Sequence, residues 1–174
     1  VKKLSDELNI SPILSSMLVK REIKNFDQAK FFFRPNYEML HDPFLMKDMN
    51  LAVDRIQKAI RDKESIMIFG DYDVDGTSSV ALLSLYLGSI GLNVTTYLPD
   101  RKSEGYGISI KAIDNAFEKK QKLIIALDCG IKAHKQVNYA KEKGIEFIIC
   151  DHHNPDDNIP QSLAALTPKR QHCV

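Results

Sequence analysis

Three short apolar runs, each followed at once by side chains that favour metal ions, constrain the fold of this chain more than anything else in it. The runs are Ser65 to Phe69, Leu123 to Leu127 and Ile145 to Cys150. Behind them stand Asp71-Tyr72-Asp73-Val74-Asp75-Gly76-Thr77, Asp128-Cys129-Gly130 and Asp151-His152-His153. Runs this short and this rich in β-branched residues read as strands buried on both faces, the mark of a parallel sheet. Strand-like and helix-like segments alternate from residue 65: strand 65–69, helix 76–90, strand 93–98, helix 109–120, strand 123–127, helix 132–143, strand 145–150 and a short strand at 163–167. Such alternation predicts right-handed βαβ crossovers, hence an α/β fold with a parallel sheet of about five strands and flanking helices. Open α/β sheets bind ligands outside the carboxyl ends of their strands, so five aspartates and two histidines are expected on one rim.

Residues 1–62 carry helical patterning without strand-like runs and read as a helical extension before a domain at 63–174. Ser11-Pro12 starts a stretch to about Lys20, Asn25 or Asp27 caps a short helix through Phe33 that Pro35 stops, and Asp48 opens a helix to about Asp62. The face of that last helix is expected to be Leu51, Ala52, Arg55, Ile56 and Ala59 or Ile60. Phe31-Phe32-Phe33 reads as core packing. The many lysines of Glu118 to Lys122 and Lys141 to Lys143 read as a solvated helix face.

Carboxylates gathered on one rim cannot all stay ionised unless cations lie between them, because like charges in contact raise each other's pKa or recruit metal. Oxygen-rich ligation with one or two imidazoles suits Mn²⁺ or Mg²⁺ better than a structural zinc. Cys129 and Cys150 flank the clusters but lack CxxC spacing, so they read as small hydrophobes. Asp73 and Asp75, two apart in an extended loop, can point to one side as metal ligands; Asp71 shares their parity but lies nearer the strand, which suggests a supporting role. Gly70 and Gly76 permit a tight loop, and Thr77 sits where a helix start offers amides to an anion. Asp128, at a strand tip beside Gly130, is the natural bridge between two ions. Adjacent residues of an extended segment point apart, so His152 and His153 are expected to divide the work. In the loop from Pro99 to Gly107, Arg101 can fork onto phosphate oxygens and Tyr106 can stack on a base, although an ordinary glycine-punctuated loop has the same composition. His41, His134 and His172 read as structural or solvated.

These three motifs, in this order, resemble the DHH phosphoesterase superfamily. Leu40-His41-Asp42-Pro43-Phe44-Leu45-Met46, the stretch from Gly70 to Thr77, Pro99-Asp100-Arg101 with Glu104-Gly105-Tyr106-Gly107, and Thr167-Pro168-Lys169-Arg170 are similar to its RecJ branch of bacterial single-strand-specific DNA exonucleases. The resemblance implies strand order 2-1-3-4-5, two Mn²⁺ or Mg²⁺ ions, and in-line attack of activated water on a phosphodiester. It implies Asp73 on one ion, Asp75 and His152 on the other and Asp128 between them. His153 would face the phosphate, with Asp71 and Asp151 assisting, and Arg101, Tyr106 and Thr77 would hold substrate. It further implies 5′→3′ degradation of single-stranded DNA in repair and recombination, alongside other DNA-repair proteins, in the bacterial cytoplasm. Such proteins continue with a further aspartate ligand, a DHHA1-type domain and an OB-fold, so the 174 residues alone are expected to bind metal weakly and to be weakly active or inactive. The start at Val1 suggests that residues precede it. Phe69 departs from members that carry a metal-binding histidine four residues before the equivalent of Asp73, which leaves the first ion one ligand poorer.

Other readings remain open. Within the superfamily the same core serves phosphodiesterases of short oligonucleotides or cyclic dinucleotides, and a non-catalytic replication scaffold is a further alternative. Asp73-Val74-Asp75-Gly76-Thr77 also matches the DxDGT signature of haloacid-dehalogenase phosphatases, whose first aspartate is phosphorylated; those enzymes place it directly at the strand tip and have no use for a histidine pair. A net charge of +1, from 24 Lys+Arg against 23 Asp+Glu, argues neither for nor against nucleic acid. Three cysteines, Cys129, Cys150 and Cys173, do not make a disulfide framework and fit a reducing compartment. No apolar stretch reaches the ~20 residues of a membrane span, and no signal peptide is visible, so no membrane partner is expected.

Overall fold

The computed structural model describes residues 1–170, in two compact units divided between Asp42 and Pro43. His172 and Cys173 lie outside the described residues.

In the first unit, α1 (Lys2–Leu8), α2 (Pro12–Lys20) and α3 (Phe26–Phe33) enclose a small core of Leu4, Leu18, Ile23 and Ala29. Ser11 caps α2 by accepting from the Leu14 N–H, and Asn25 caps α3 by accepting from the Gln28 N–H, so Asn25 and not Asp27 is the cap. Phe31, Phe32 and Phe33 are 58%, 50% and 63% exposed, against the expectation of core packing. Consecutive helical residues fan out by about 100° each, and Ala29 already fills the inward position.

In the second unit, α4 (Met49–Arg61) precedes β1 (Ser65–Gly70), α5 (Val74–Ser89), β2 (Asn93–Tyr97), α6 (Ile110–Glu118), β3 (Leu123–Leu127), α7 (His134–Glu142), β4 (Glu146–Cys150) and β5 (Ala164–Leu166). The five strands form one parallel sheet in the order β2-β1-β3-β4-β5, as the resemblance implied. Alternate strand residues separate into two cores. Met67, Phe69, Ile124, Ala126, Phe147 and Ile149 pack with α6 and α7, while Ile66, Ile68, Leu123, Ile125, Leu127 and Ile148 pack with α4 and α5.

The inward face of α4 follows its pattern except at one position: Ala52, Arg55 and Ala59 are buried and Ile56 and Ile60 pack partly buried against the same core, whereas Leu51 is exposed. The Arg55 guanidinium is held by Glu64 at 2.7 Å and Glu146 at 2.5 Å. Asp48 stands at the N-terminus of α4 but makes no side-chain cap. Its carboxylate accepts instead from the Ala165 N–H at 3.2 Å and from Arg170, so the Thr167–Arg170 motif fastens the end of β5 to the start of α4. Gln121, expected on a solvated face, is 1% exposed; its amide donates to Ser65, to the Ile66 carbonyl and to Thr95 beneath the starts of β1 and β2. No helix among the described residues is long and apolar enough to cross a membrane.

Candidate active site

The strand register builds the site. Gly70 of β1 is level with Leu127 of β3, and Leu127 is level with Cys150 of β4. The next residues, Asp71, Asp128 and Asp151, therefore leave the sheet side by side on its carboxyl edge. The ladder runs one step further there: the Asp128 N–H donates to the Cys150 carbonyl at 2.8 Å, and the Asp151 N–H to the Leu166 carbonyl at 3.0 Å. All three are buried, at 1%, 7% and 6% exposure.

Asp128 has φ +61°, a left-handed conformation that an aspartate tolerates better than most side chains and that turns the chain sharply off β3. Both its carboxylate oxygens are buried and lack a hydrogen-bond partner. The Nε2 of His152 stands 2.9 Å from Asp128 Oδ1, close enough to touch but without the alignment of a hydrogen bond. Ligand atoms of Asp128, His152 and His153 all lie within 4.8 Å of one another. A buried carboxylate with no hydrogen bond, in ion-pair contact with one imidazole and close to a second, could hold a hard cation with them.

Asp73 joins this group from the side. It caps α5 by accepting from the Gly76 N–H at 3.0 Å, so α5 begins at Val74, two residues earlier than the pattern implied. That N–H holds the Asp73 carboxyl below its usual range, and the neighbouring Asp128 adds to the effect. Asp128 is pushed the other way, by burial first and by Asp73 second. A Cβ at position 76 would come within 2.4 Å of the Asp71 carbonyl oxygen and 2.6 Å of its nitrogen, so only glycine lets α5 start this close to the tip of β1. Asp75 lies exposed in the first turn of α5, outside the converging trio. The Thr77 hydroxyl donates to the Asp73 carbonyl at 2.7 Å within its own helix.

Asp151 organises His153. Its Oδ2 accepts from the Ile131 N–H at 2.9 Å, and its Oδ1 accepts from the His153 N–H at 2.9 Å and lies 2.7 Å from His153 Nδ1. Burial alone would raise the Asp151 carboxyl, but these backbone donors outweigh it and hold the pKa below the usual range. A carboxylate at Nδ1 fixes the proton there and leaves Nε2 facing outward. Nε2 is 3.4 Å from the Tyr106 hydroxyl, whose pKa is pushed up to about 12 by burial and then by the charges of Asp71 and Asp151. One oxygen of the Asp71 carboxylate is buried without a partner.

Arg101 is exposed and lies over the ring of Tyr72, 5.2 Å from its centre, and Tyr72 meets Tyr106 edge-on. The loop bearing Arg101 and Tyr106 is anchored by a residue to which the sequence reading gave no role. Glu104 accepts from the hydroxyls of Tyr97 at 2.7 Å and Ser109 at 2.6 Å and from the Asp100 N–H at 3.1 Å. An acidic residue directly before the glycines was the available signal. Cys129 is buried in the core beneath Asp128, and burial pushes the Cys150 thiol up to about 12; neither approaches the trio as a ligand.

A parallel α/β sheet with aspartates and a histidine pair on adjacent strand tips places a group that could hold a metal ion at the carboxyl edge of the sheet. Residues 65–174 match the DHH family, N-terminal domain, and the chain belongs to that family. Within it, the chain is 40% identical over 174 residues to the single-stranded-DNA-specific exonuclease RecJ of Bacillus subtilis, covering 100% of this chain and 22% of that protein. It is 32% identical over 171 residues to RecJ of Haemophilus influenzae, covering 98% of the chain and 29% of the relative. A crystal structure of exonuclease RecJ bound to manganese matches with a TM-score of 0.69 at 30% identity, over 76% of this chain and 34% of that one. The chain thus spans about a third or less of the length of these relatives.

Proposed function

We propose that this chain supplies the metal-binding half of a metal-dependent phosphodiesterase, a single-stranded-DNA-specific exonuclease that degrades 5′→3′ in bacterial DNA repair and recombination. The observation that carries the reading is the orphaned Asp128 carboxylate, buried with both oxygens unpartnered beside His152 and His153. Its similarity to RecJ exonucleases, one of them bound to manganese, supports the substrate and the metal. In this reading residues 63–174 carry the chemistry and residues 1–62 precede it, with α4 supporting the sheet. The protein works in the cytoplasm beside other repair proteins.

Asp73, Asp75, Asp128 and His152 would hold Mn²⁺ or Mg²⁺, which when bound neutralises phosphate charge and makes water a better nucleophile. Asp75, exposed on the first turn of α5, reaches the group only if its side chain turns toward Asp128. His153, its Nδ1 proton held by Asp151, presents Nε2 to a non-bridging phosphate oxygen and stabilises charge there as the bond breaks. Tyr106 and Arg101, supported by Glu104, take the strand beside it, and Thr77 sits at the helix start nearest the phosphate. Asp71 keeps negative potential behind the ligands.

The test is calorimetric titration of Mn²⁺ into the chain and into Asp128→Ala, together with digestion of 5′- and 3′-end-labelled single-stranded DNA by the protein that carries the chain. The expected results are heat of binding that disappears in Asp128→Ala, and release of the 5′ label first. Equal Mn²⁺ affinity in the folded variant would sink the metal site, and 3′ release would overturn the polarity.

A further inference from the structure

On the side of His153 away from Asp128, the sheet edge opens into a cavity of about 450 Å³. It lies between the loop ending at Ile108, the Gly130–Ala133 turn after β3, and the first turn of α7. Its floor is apolar, made by Ile108, Ile131 and Ala133. Gly107, at φ +82° and with open space where a Cβ would stand, leaves backbone bare at the rim. At the near end are His153 and the exposed ring of Tyr106. At the far end is Gln136, half-buried, whose side-chain amide has no hydrogen-bond partner among the described residues. Asn154 adds a second amide at the mouth.

A recess of this size, apolar beneath with a few amides at its edge, takes one small ligand with a flat apolar face and a polar rim. We propose that it seats the nucleobase and sugar of the terminal nucleotide, the unit adjoining the phosphate at His153. This rests on the phosphodiesterase reading and adds a place for the nucleoside to it. Tyr106 offers a ring to the base where the strand enters, as single-strand binding sites do. The amide of Gln136 carries both a donor and an acceptor, so it can pair with the edge of any base without selecting one strongly. Gln136 in the first turn of α7 lines the cavity, whose size suits the one nucleoside of a strand terminus.

The test is nuclear magnetic resonance of the ¹⁵N-labelled chain with Mg²⁺, titrated separately with deoxythymidine 3′-monophosphate, whose phosphate stands where the scissile phosphate of a 5′-terminal nucleotide does, and with inorganic phosphate. Both ligands are expected to shift the amides of Asp128, His152 and His153, and the nucleotide alone to shift those of Gly107, Gly130, Lys132 and Gln136. Gln136→Trp, at a half-exposed helical position that tolerates bulk, should fill the recess and weaken nucleotide binding at least tenfold, to the level of inorganic phosphate. Gln136→Ala should weaken it less, by about threefold to tenfold. Identical shifts from nucleotide and phosphate, or wild-type nucleotide affinity in Gln136→Trp, would overturn the nucleoside seat and leave the phosphodiesterase reading standing. If neither ligand shifts Asp128 or His152, that underlying reading fails, and the seat fails with it.

Discussion

Removing the Asp151 carboxylate should cost the metal-free protein stability as well as activity, and the amount follows from its contacts. Asp151 accepts from the backbone N–H groups of Ile131 and His153, both at 2.9 Å, and holds His153 Nδ1 at 2.7 Å. Asp151→Ala strips the acceptor from both backbone donors. A buried donor left unpaired costs about 1–3 kcal/mol. Ile131 is buried and bears that in full, whereas His153 is exposed enough to find water, so the expected loss is about 2–4 kcal/mol out of a total of about 5–15. Asp151→Asn should not rescue it. Both oxygens face N–H donors, so either orientation of the new amide sets an NH₂ against one of them, and a loss of about 1.5–3 kcal/mol remains. The assay is urea unfolding in chelator, where an unchanged m-value and a lowered midpoint report stability alone. Because the Asp151 pKa is depressed in the folded protein, its contribution is complete above the unfolded carboxyl's ordinary value and disappears as pH falls through the folded value. The gap between wild type and Asp151→Asn should therefore be full at pH 7 and close below about pH 4. An Asp151→Asn protein within about 0.5 kcal/mol of wild type at pH 7 would refute the reasoning, since the carboxylate would then not be holding those donors.

Asp128→Asn should act in the opposite direction on the metal-free fold: it removes a buried charge facing Asp73, so stability rises by about 1 kcal/mol while the thermal shift caused by Mn²⁺ is lost. A destabilised variant that keeps its Mn²⁺ shift would contradict this. Gly76→Ala decides between helix propensity and close approach. Propensity alone would stabilise α5 by about 1 kcal/mol, whereas a Cβ within 2.4 Å of backbone should lower the melting temperature by at least about 6 °C, and any rise would disprove the close approach. Gln121→Ala removes an amide NH₂ whose two protons serve Ser65, the Ile66 carbonyl and Thr95 beneath β1 and β2 and should cost about 2–3 kcal/mol in urea unfolding; a change below about 0.5 kcal/mol would mean water replaces the amide freely.

The strands were legible because a parallel strand buried on both faces leaves an unbroken apolar run, and such runs carry their own boundaries. The tips were legible for the same reason: whatever follows the run at 65–69, 123–127 or 145–150 must emerge on the carboxyl edge once the strands are parallel. What the one-dimensional pattern did not carry is direction within the edge. The left-handed turn at Asp128, the hold of Asp151 on the Ile131 N–H twenty residues earlier, and the anchoring of a loop by Glu104 through Tyr97 and Ser109 all depend on which groups the fold brings beside them. The errors have the same origin. Phe31–Phe33 looked like core because apolar residues usually are, but one helix face cannot take three neighbours. Gln121, set among lysines that read as solvated, is buried because a partner 55 residues away meets it, and Arg55, expected on its helix's inward face, is held there by a partner 91 residues away.

The same separation explains why the site can be assembled from parts that are individually plain. Each strand tip contributes one aspartate, and each of those three is fixed by a different neighbour: Asp128 through its N–H to β4, Asp151 through its N–H to β5 and its carboxylate to the turn after β3, and Asp71 by the close packing of its backbone against Gly76 in the first turn of α5. Moving one strand by a residue would turn its tip to the other face of the sheet and break these ties together. The register that buries Ile66, Ile125 and Ile148 therefore also sets the spacing of the carboxylates, and core packing supplies the rigidity that a cluster of like charges needs to stay assembled until cations join it.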